Sequence, residues 1–425
     1  MNANWILPAL LAPALILIVL SALGLTACAQ TPLLLDTAYL ESLRAEVRTN
    51  HPSVAAARAR LLAAEVGVRT VRQWEDPSAG LGVMAAERNK RRDDGDILVV
   101  AEQALPRRRL YEARKARATA ERFLFEAETR SAELSLETLV VQAAVELALV
   151  DEMLAIQTIQ LAWLESMAAN AREKLKDPKA NVSESFRIES EVAQERQKID
   201  SAQRQRVRLA QQLNILFGRT AESLWPVLRL QESASLTPAL TGELSRLVAV
   251  NPSLQALLNN ANIAKSEIEV VKRERSPVFS VGVESSLYSG GDFRQATVGA
   301  KMTFPWVNNS IYRANTERAR HRQVAAERDV EALGRKLRGE AIAAHTEAET
   351  SAHQAGTISK EVIPRAHKAA ESTQNAWISS RASLLDVLES QRSLFNARLE
   401  ERRFVAAHRA ALETLRSIVP PTTHP

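Results

Sequence analysis

Between Pro106 and Pro178 the chain runs 71 residues without a glycine or a proline. As one continuous α-helix this segment reaches about 105 Å, about twice the diameter of a compact globule of this length. A compact core has no use for such a rod, so the chain must be an elongated, mainly helical object. Within the segment Leu136, Val140, Ala143, Leu147, Val150, Leu154, Gln157, Leu161, Leu164 and Ala168 alternate spacings of four and three, which predicts a coiled-coil seam. Gln157 is its one polar member, a substitution that lowers stability and fixes register.

The rod occurs twice. At an offset of 200, residues 51–83 and 251–283 share Pro52/Pro252, Ser53/Ser253, Ala56/Ala256, Ala64/Ala264, Val71/Val271, Pro77/Pro277, Gly82/Gly282 and Val83/Val283. Ser183/Ser383, Glu189/Glu389 and Ser190/Ser390 obey the same offset. A period this long marks a tandem of two domain-sized halves rather than a solenoid. The expected organisation is a first repeat at 37–218, a connecting segment at 219–240, a second repeat at 241–418 and a tail at 419–425.

Each half is expected to open with a helix, at 37–73 and 241–274. A strand pair follows, at 77–105 and 277–305, where apolar and polar residues alternate. Phe279, Val281 and Val283 form one arm of the second pair; Ala296, Val298, Ala300, Met302 and Phe304 form the other. Ala79, Leu81 and Val83, then Val99, Ala101 and Leu105, repeat the pattern in the first half around the charged loop from Glu87 to Asp96. A long helix and a return helix complete each half, at 107–177 and 179–217, then at 307–378 and 383–418. The long helix of the second half is expected to be loosened by Gly334, Gly339, Gly356 and Pro364.

The amino terminus reads as an address. Residues 6–25 carry no charge and lead into Leu25-Thr26-Ala27-Cys28, a secretory signal at 1–27 with small residues before the cut. These four residues resemble a bacterial lipoprotein signal, which implies a lipidated Cys28 followed by a linker at 28–36; Ala29 in place of Asp implies passage to the outer membrane. An uncleaved anchor and cleavage without lipid remain as alternatives, since the apolar run is long enough to span a bilayer and residues 1–5 lack Lys and Arg. Cys28 is the only cysteine, which excludes an internal disulfide framework and multi-cysteine metal sites.

Charge excludes further classes. Lys and Arg number 55 against 50 Asp and Glu, a narrow excess without the basic block of a nucleic-acid binder. None of His51, His321, His345, His353, His367, His408 and His424 pairs with another at helical ligand spacing, and no metal or other cofactor is expected. Asp93 and Asp94 lie in the charged loop with no nucleophile or glycine-rich cradle nearby, so no enzyme activity is expected.

Four strands of about ten residues have the length and outward apolar alternation of membrane-crossing β-strands, and four cannot close a barrel. Tyr288, Phe293, Phe304 and Trp306 flank the second pair as an interfacial girdle would. With the duplication, Asn50-His51-Pro52-Ser53, Asn251-Pro252-Ser253 and the segment from Ser383 to Arg392, the chain resembles the TolC-like outer-membrane efflux proteins over residues 37–418. The segment Phe304 to Ala314 is similar to the heavy-metal-efflux branch.

The resemblance implies a mainly α fold with membrane β. In it a trimeric α-barrel of coiled-coil helices joins a shared twelve-stranded β-barrel, with four strands from each chain. It also implies a homotrimer in outer-membrane lipid, a periplasmic adaptor, and an inner-membrane pump of the resistance-nodulation-division type. Asp386 and Glu389 would form an acidic ring at the periplasmic aperture, although Ser380 and Arg381 stand where that family places glycine before the tip. A periplasmic coiled-coil adaptor or scaffold lipoprotein is the alternative; two equal strand-bearing halves count against it.

Overall fold

The computed structural model describes residues 32–84, 96–174, 182–231, 240–288, 293–379 and 381–421. Cys28, the loop after Met84, the turn around Pro178 and Ser380 lie outside them.

The two halves share one order of elements, the long helix of the second being divided in two. The first runs β1 (Leu33–Leu35), α1 (Thr37–Asn50), α2 (Pro52–Thr70), β2 (Ser78–Met84), β3 (Asp96–Ala104), α3 (Arg108–Lys174) and α4 (Val182–Leu216). The second runs β4 (Leu228–Leu230), α5 (Leu240–Val250), α6 (Pro252–Glu274), β5 (Val278–Tyr288), β6 (Phe293–Thr303), α7 (Asn309–Thr357), α8 (Ile363–Ile378) and α9 (Leu384–Ile418).

The opening helix of each half is two helices rather than the one expected. Proline has no N–H to donate and its ring clashes with the preceding turn, so the helix stops before Pro52 and Pro252 and restarts with each proline in its first turn. The residue before the proline caps the restart. His51 Nδ1 accepts the Ser53 N–H at 3.2 Å, and Asn251 Oδ1 accepts that of Leu254 at 2.9 Å.

The long helix of the second half also departs from expectation. It passes through Gly334 and Gly339 unbroken, because glycine keeps its backbone hydrogen bonds and weakens a helix by only about 1 kcal/mol. The irregularity falls at Pro364. A π-turn, Ile358–Val362, links α7 to α8 ahead of the proline, and the Ile363 N–H reaches back to the Ile358 carbonyl. This widened turn accommodates a residue that cannot donate.

All ten seam positions of α3 are buried or half-buried, and the cores they enter draw on α1 and α4 as well as α9. Three apolar cores follow along the rod. One gathers Leu40, Val47, Leu147, Leu213, Phe217 and Leu228 around the middle of α3. A second joins Leu254, Leu337, Ala341 and Leu415. The third closes one end of the molecule, where Leu164 and Met167 of α3 meet Ile188, Trp377, Leu384 and Leu388.

Strands β1 and β4, three residues each, pair in parallel, with Leu33 opposite Leu228 and Leu35 opposite Leu230. Asp151 and Glu152 of α3 hold β4 in place. The Asp151 carboxylate accepts the Leu228 N–H at 2.8 Å and pairs with Arg206, whose guanidinium also donates to the Trp225 and Pro226 carbonyls at 3.2 Å. Glu152 accepts the Leu230 N–H at 2.9 Å. The equivalent strands of the two halves are thereby clasped at mid-rod.

Candidate functional site: an exposed apolar sheet and an acidic tip

Strands β2, β3, β5 and β6 form one antiparallel sheet in the order β2-β3-β5-β6, so the two hairpins join through β3 and β5. Its outward face is apolar. Across the strands it presents Ala79, Ala101, Val283 and Val298 in one row and Leu81, Val99, Ser285 and Ala296 in the next. Leu81, Val83 and Val298 are about 80% exposed, at 83%, 81% and 79%, whereas Ser280 and Ser286 on the opposite face are 7% and 5% exposed. A water-soluble sheet buries its apolar face; this sheet leaves that face exposed on all four strands, while its polar face is buried at Ser280 and Ser286 and open at Glu284 and along β6.

The polar face is organised around Glu102. Ser280 donates its hydroxyl to the carboxylate at 2.5 Å, and Lys301 lies 3.8 Å away on the next strand. Gly80, Gly82, Gly282 and Gly299 share that face. A Cβ at Gly282 would come within 3.3 Å of the Ala101 carbonyl oxygen, a close approach that a side chain could take only if the neighbouring backbone gave by a few tenths of an ångström. Small residues on one face let a sheet curl towards it. The outer edges of β2 and β6 have no strand partner among the described residues.

Of the expected girdle, Phe293 and Phe304 are exposed at opposite ends of β6. Trp74, four residues before β2, is 54% exposed and joins Phe304 at the end where the helices begin. Its lone position in a polar stretch gave no periodic signal.

At the far end of the rod Asp386 and Glu389 both lie exposed on the first turns of α9. The turn before them is closed by a capping box rather than by glycine. The Asp386 amide donates to the Ser383 hydroxyl oxygen at 3.2 Å, while the Asp386 carboxylate accepts from the Ser383 N–H at 3.0 Å and its hydroxyl at 2.8 Å. Those two donors, the hydroxyl first, hold the Asp386 carboxyl below the ordinary aspartate range. The Ser-x-x-Asp spacing carried this signal in the sequence. Glu389 borders an open groove of about 450 Å³ with Val362, Arg392, Asn396 and Glu400, and Arg392 is engaged by Glu191 of α4.

Among the described residues no helix is long and apolar enough to cross a membrane, and no three His, Cys, Asp or Glu side chains gather as a metal site. No protein-family model matches the chain, and no similar sequence was found among curated proteins.

Solved structures do match. The outer membrane protein VceC of Vibrio cholerae is 16% identical with a TM-score of 0.75, over 90% of this chain and 96% of that one. A membrane protein from Pseudomonas aeruginosa is 18% identical with a TM-score of 0.78, over 90% of each chain. The open state of the MtrE outer membrane channel of Neisseria gonorrhoeae is 17% identical with a TM-score of 0.73, covering 89% of this chain and 88% of that one. The chain therefore has the fold of a bacterial outer-membrane channel subunit, helical rod and four-stranded sheet together. This is the fold that the TolC-like resemblance implied.

Proposed function

We propose that this chain is the outer-membrane channel subunit of a tripartite efflux or export system, a passive exit duct without chemistry of its own. The sheet carries the reading: an exposed apolar face backed by a polar, glycine-lined one suits a β-barrel wall with lipid outside and water inside. Four strands with two free edges call for further copies, and three copies supply the twelve strands of a shared barrel. The helices then continue that barrel into the periplasm, where the tip meets an adaptor and an inner-membrane pump that provides the energy. Cys28, lipidated, would tether the same subunit to the outer membrane.

The purified full-length protein, added to a planar lipid bilayer, is expected to give stepwise conductance increments. A preparation that remains folded yet leaves the bilayer silent under all voltages would defeat the channel reading. The anchor is tested separately: Cys28→Ala should abolish labelling by radioactive fatty acid while conductance persists. Unchanged labelling would remove the lipoprotein assignment.

A further inference from the structure

Where the rod meets the sheet, cations accumulate. The ten residues next to each strand on the helix side, 68–77, 105–114, 268–277 and 304–313, hold ten Lys and Arg against five Asp and Glu. That excess equals the net charge of the whole chain, +5, so all the remaining residues together are neutral. The junction is a positive collar at the foot of an apolar face.

Local pairing sharpens the collar. On the surface between α3 and α6, a hollow of about 430 Å³ is lined by Arg109, Glu112, Lys265, Glu269 and Arg273. Its carboxylates are already met: Glu112 by Arg108 at 3.0 Å, Glu269 by Lys272 at 2.7 Å and Arg273 at 3.7 Å. Arg109 has no ion-pair partner among the described residues, and neither has Arg275, exposed three residues before β5. Arg109 lies five residues past the end of β3 and Arg275 three before the start of β5, so both belong to the first residues beyond the sheet, where a headgroup layer of roughly 5–8 Å would begin. The exposed Trp74 at the same end belongs to the aromatic class that favours this layer.

We propose that this collar is a binding site for the phosphate groups of anionic lipids in the leaflet facing the helices, with Arg109 and Arg275 as its principal cations. The inference rests on the channel reading, because it takes the exposed apolar sheet face to lie in lipid. Guanidinium forks match phosphate bidentately, and a cation at a membrane surface gains about fivefold in affinity for anionic lipid. The collar would fix the height of the barrel in the membrane.

The test uses full-length protein in detergent, titrated with phosphatidylglycerol or phosphatidylcholine, with retained lipid counted by native mass spectrometry. The parent should retain phosphatidylglycerol in preference to phosphatidylcholine. Arg109→Gln with Arg275→Gln should lower that preference by roughly 25-fold, about fivefold per charge, while Arg109→Lys with Arg275→Lys should keep most of it. Equal retention of the two lipids by the parent, or an unchanged preference in the Gln variant, overturns the proposal. So does full displacement of the lipid by inorganic phosphate at matching concentration, which would mark a free-anion site. Bilayer conductance separates the readings. A conducting parent without lipid preference defeats the collar alone, and a shift in ion selectivity of the Gln variant with unaltered lipid retention places the arginines in the lumen instead.

Discussion

Asp386 completes the cap of α9 with its carboxylate and still lies exposed in the first turn of that helix. Ser383→Ala removes the hydroxyl half of the cap and should destabilise the first turn of α9 by about 1 kcal/mol, with Ser383→Thr close to neutral. Because the folded Asp386 carboxyl lies below its ordinary range, the cap is fully present above the usual aspartate pKa and weakens as pH falls through the depressed folded value. Hydrogen exchange at the first amides of α9, followed as pH is lowered, should show that loss in the parent and none in Asp386→Asn. Gln157 is the opposite case, a buried polar side chain whose Oε1 has no hydrogen-bond partner. Gln157→Leu should raise the melting temperature, since it removes an unsatisfied acceptor from an otherwise apolar seam. An unchanged or lower Tm would mean that this oxygen finds a partner in the assembled protein.

At the scale of elements, α1 is fastened to α9 by a buried ion pair. Arg44 donates to Glu413 at 2.5 Å, both side chains almost fully enclosed, and Arg44 also reaches Glu41 at 2.8 Å. Removing one partner strands a buried charge, so Glu413→Ala should cost about 3–5 kcal/mol in urea unfolding, whereas Arg44→Met with Glu413→Leu should cost far less. Nearby, burial pushes the Glu137 carboxyl above its usual range against the pull of Arg48. Its contribution to stability is therefore largest at acid pH and declines as pH rises through the raised folded value. Neither pairing was legible beforehand, since the partners lie hundreds of residues apart or on different helices. What could be read were features with a local physical cause: the seam spacing of α3, the strand alternation, and the prolines that begin α2 and α6. The short strands β1 and β4 escaped because three residues show no period; their pairing depends on Asp151 and Glu152 receiving amides from 77 and 78 residues away. The π-turn escaped for another reason. Proline announces a break but not its form, and in the sequence the glycines of α7 look equally disruptive.

For the whole molecule, the sheet edges decide the assembly. An unpaired backbone group in hydrocarbon costs several kcal/mol, so β2 and β6 cannot both remain open in a membrane. The protein in detergent should have the mass of a trimer, and a monodisperse folded monomer would show that the hairpins do not form a shared barrel. A trimer would also bring three copies of the α9 start around one axis, presenting up to six carboxylates from Asp386 and Glu389. The two residues are not equivalent there. Asp386 already accepts two hydrogen bonds from Ser383, while Glu389 has no ion pair among the described residues, its neighbour Arg392 being turned to Glu191. Glu389 should therefore contribute more of the field that a permeating ion meets in a narrow, low-dielectric constriction. In planar bilayers Glu389→Gln should reduce cation preference and weaken block by multivalent cations added from the tip side, with the larger effect at low salt, where the Debye length is longer. Asp386→Asn should act in the same direction more weakly. If selectivity and block in both variants match those of the parent, these carboxylates do not line the aperture.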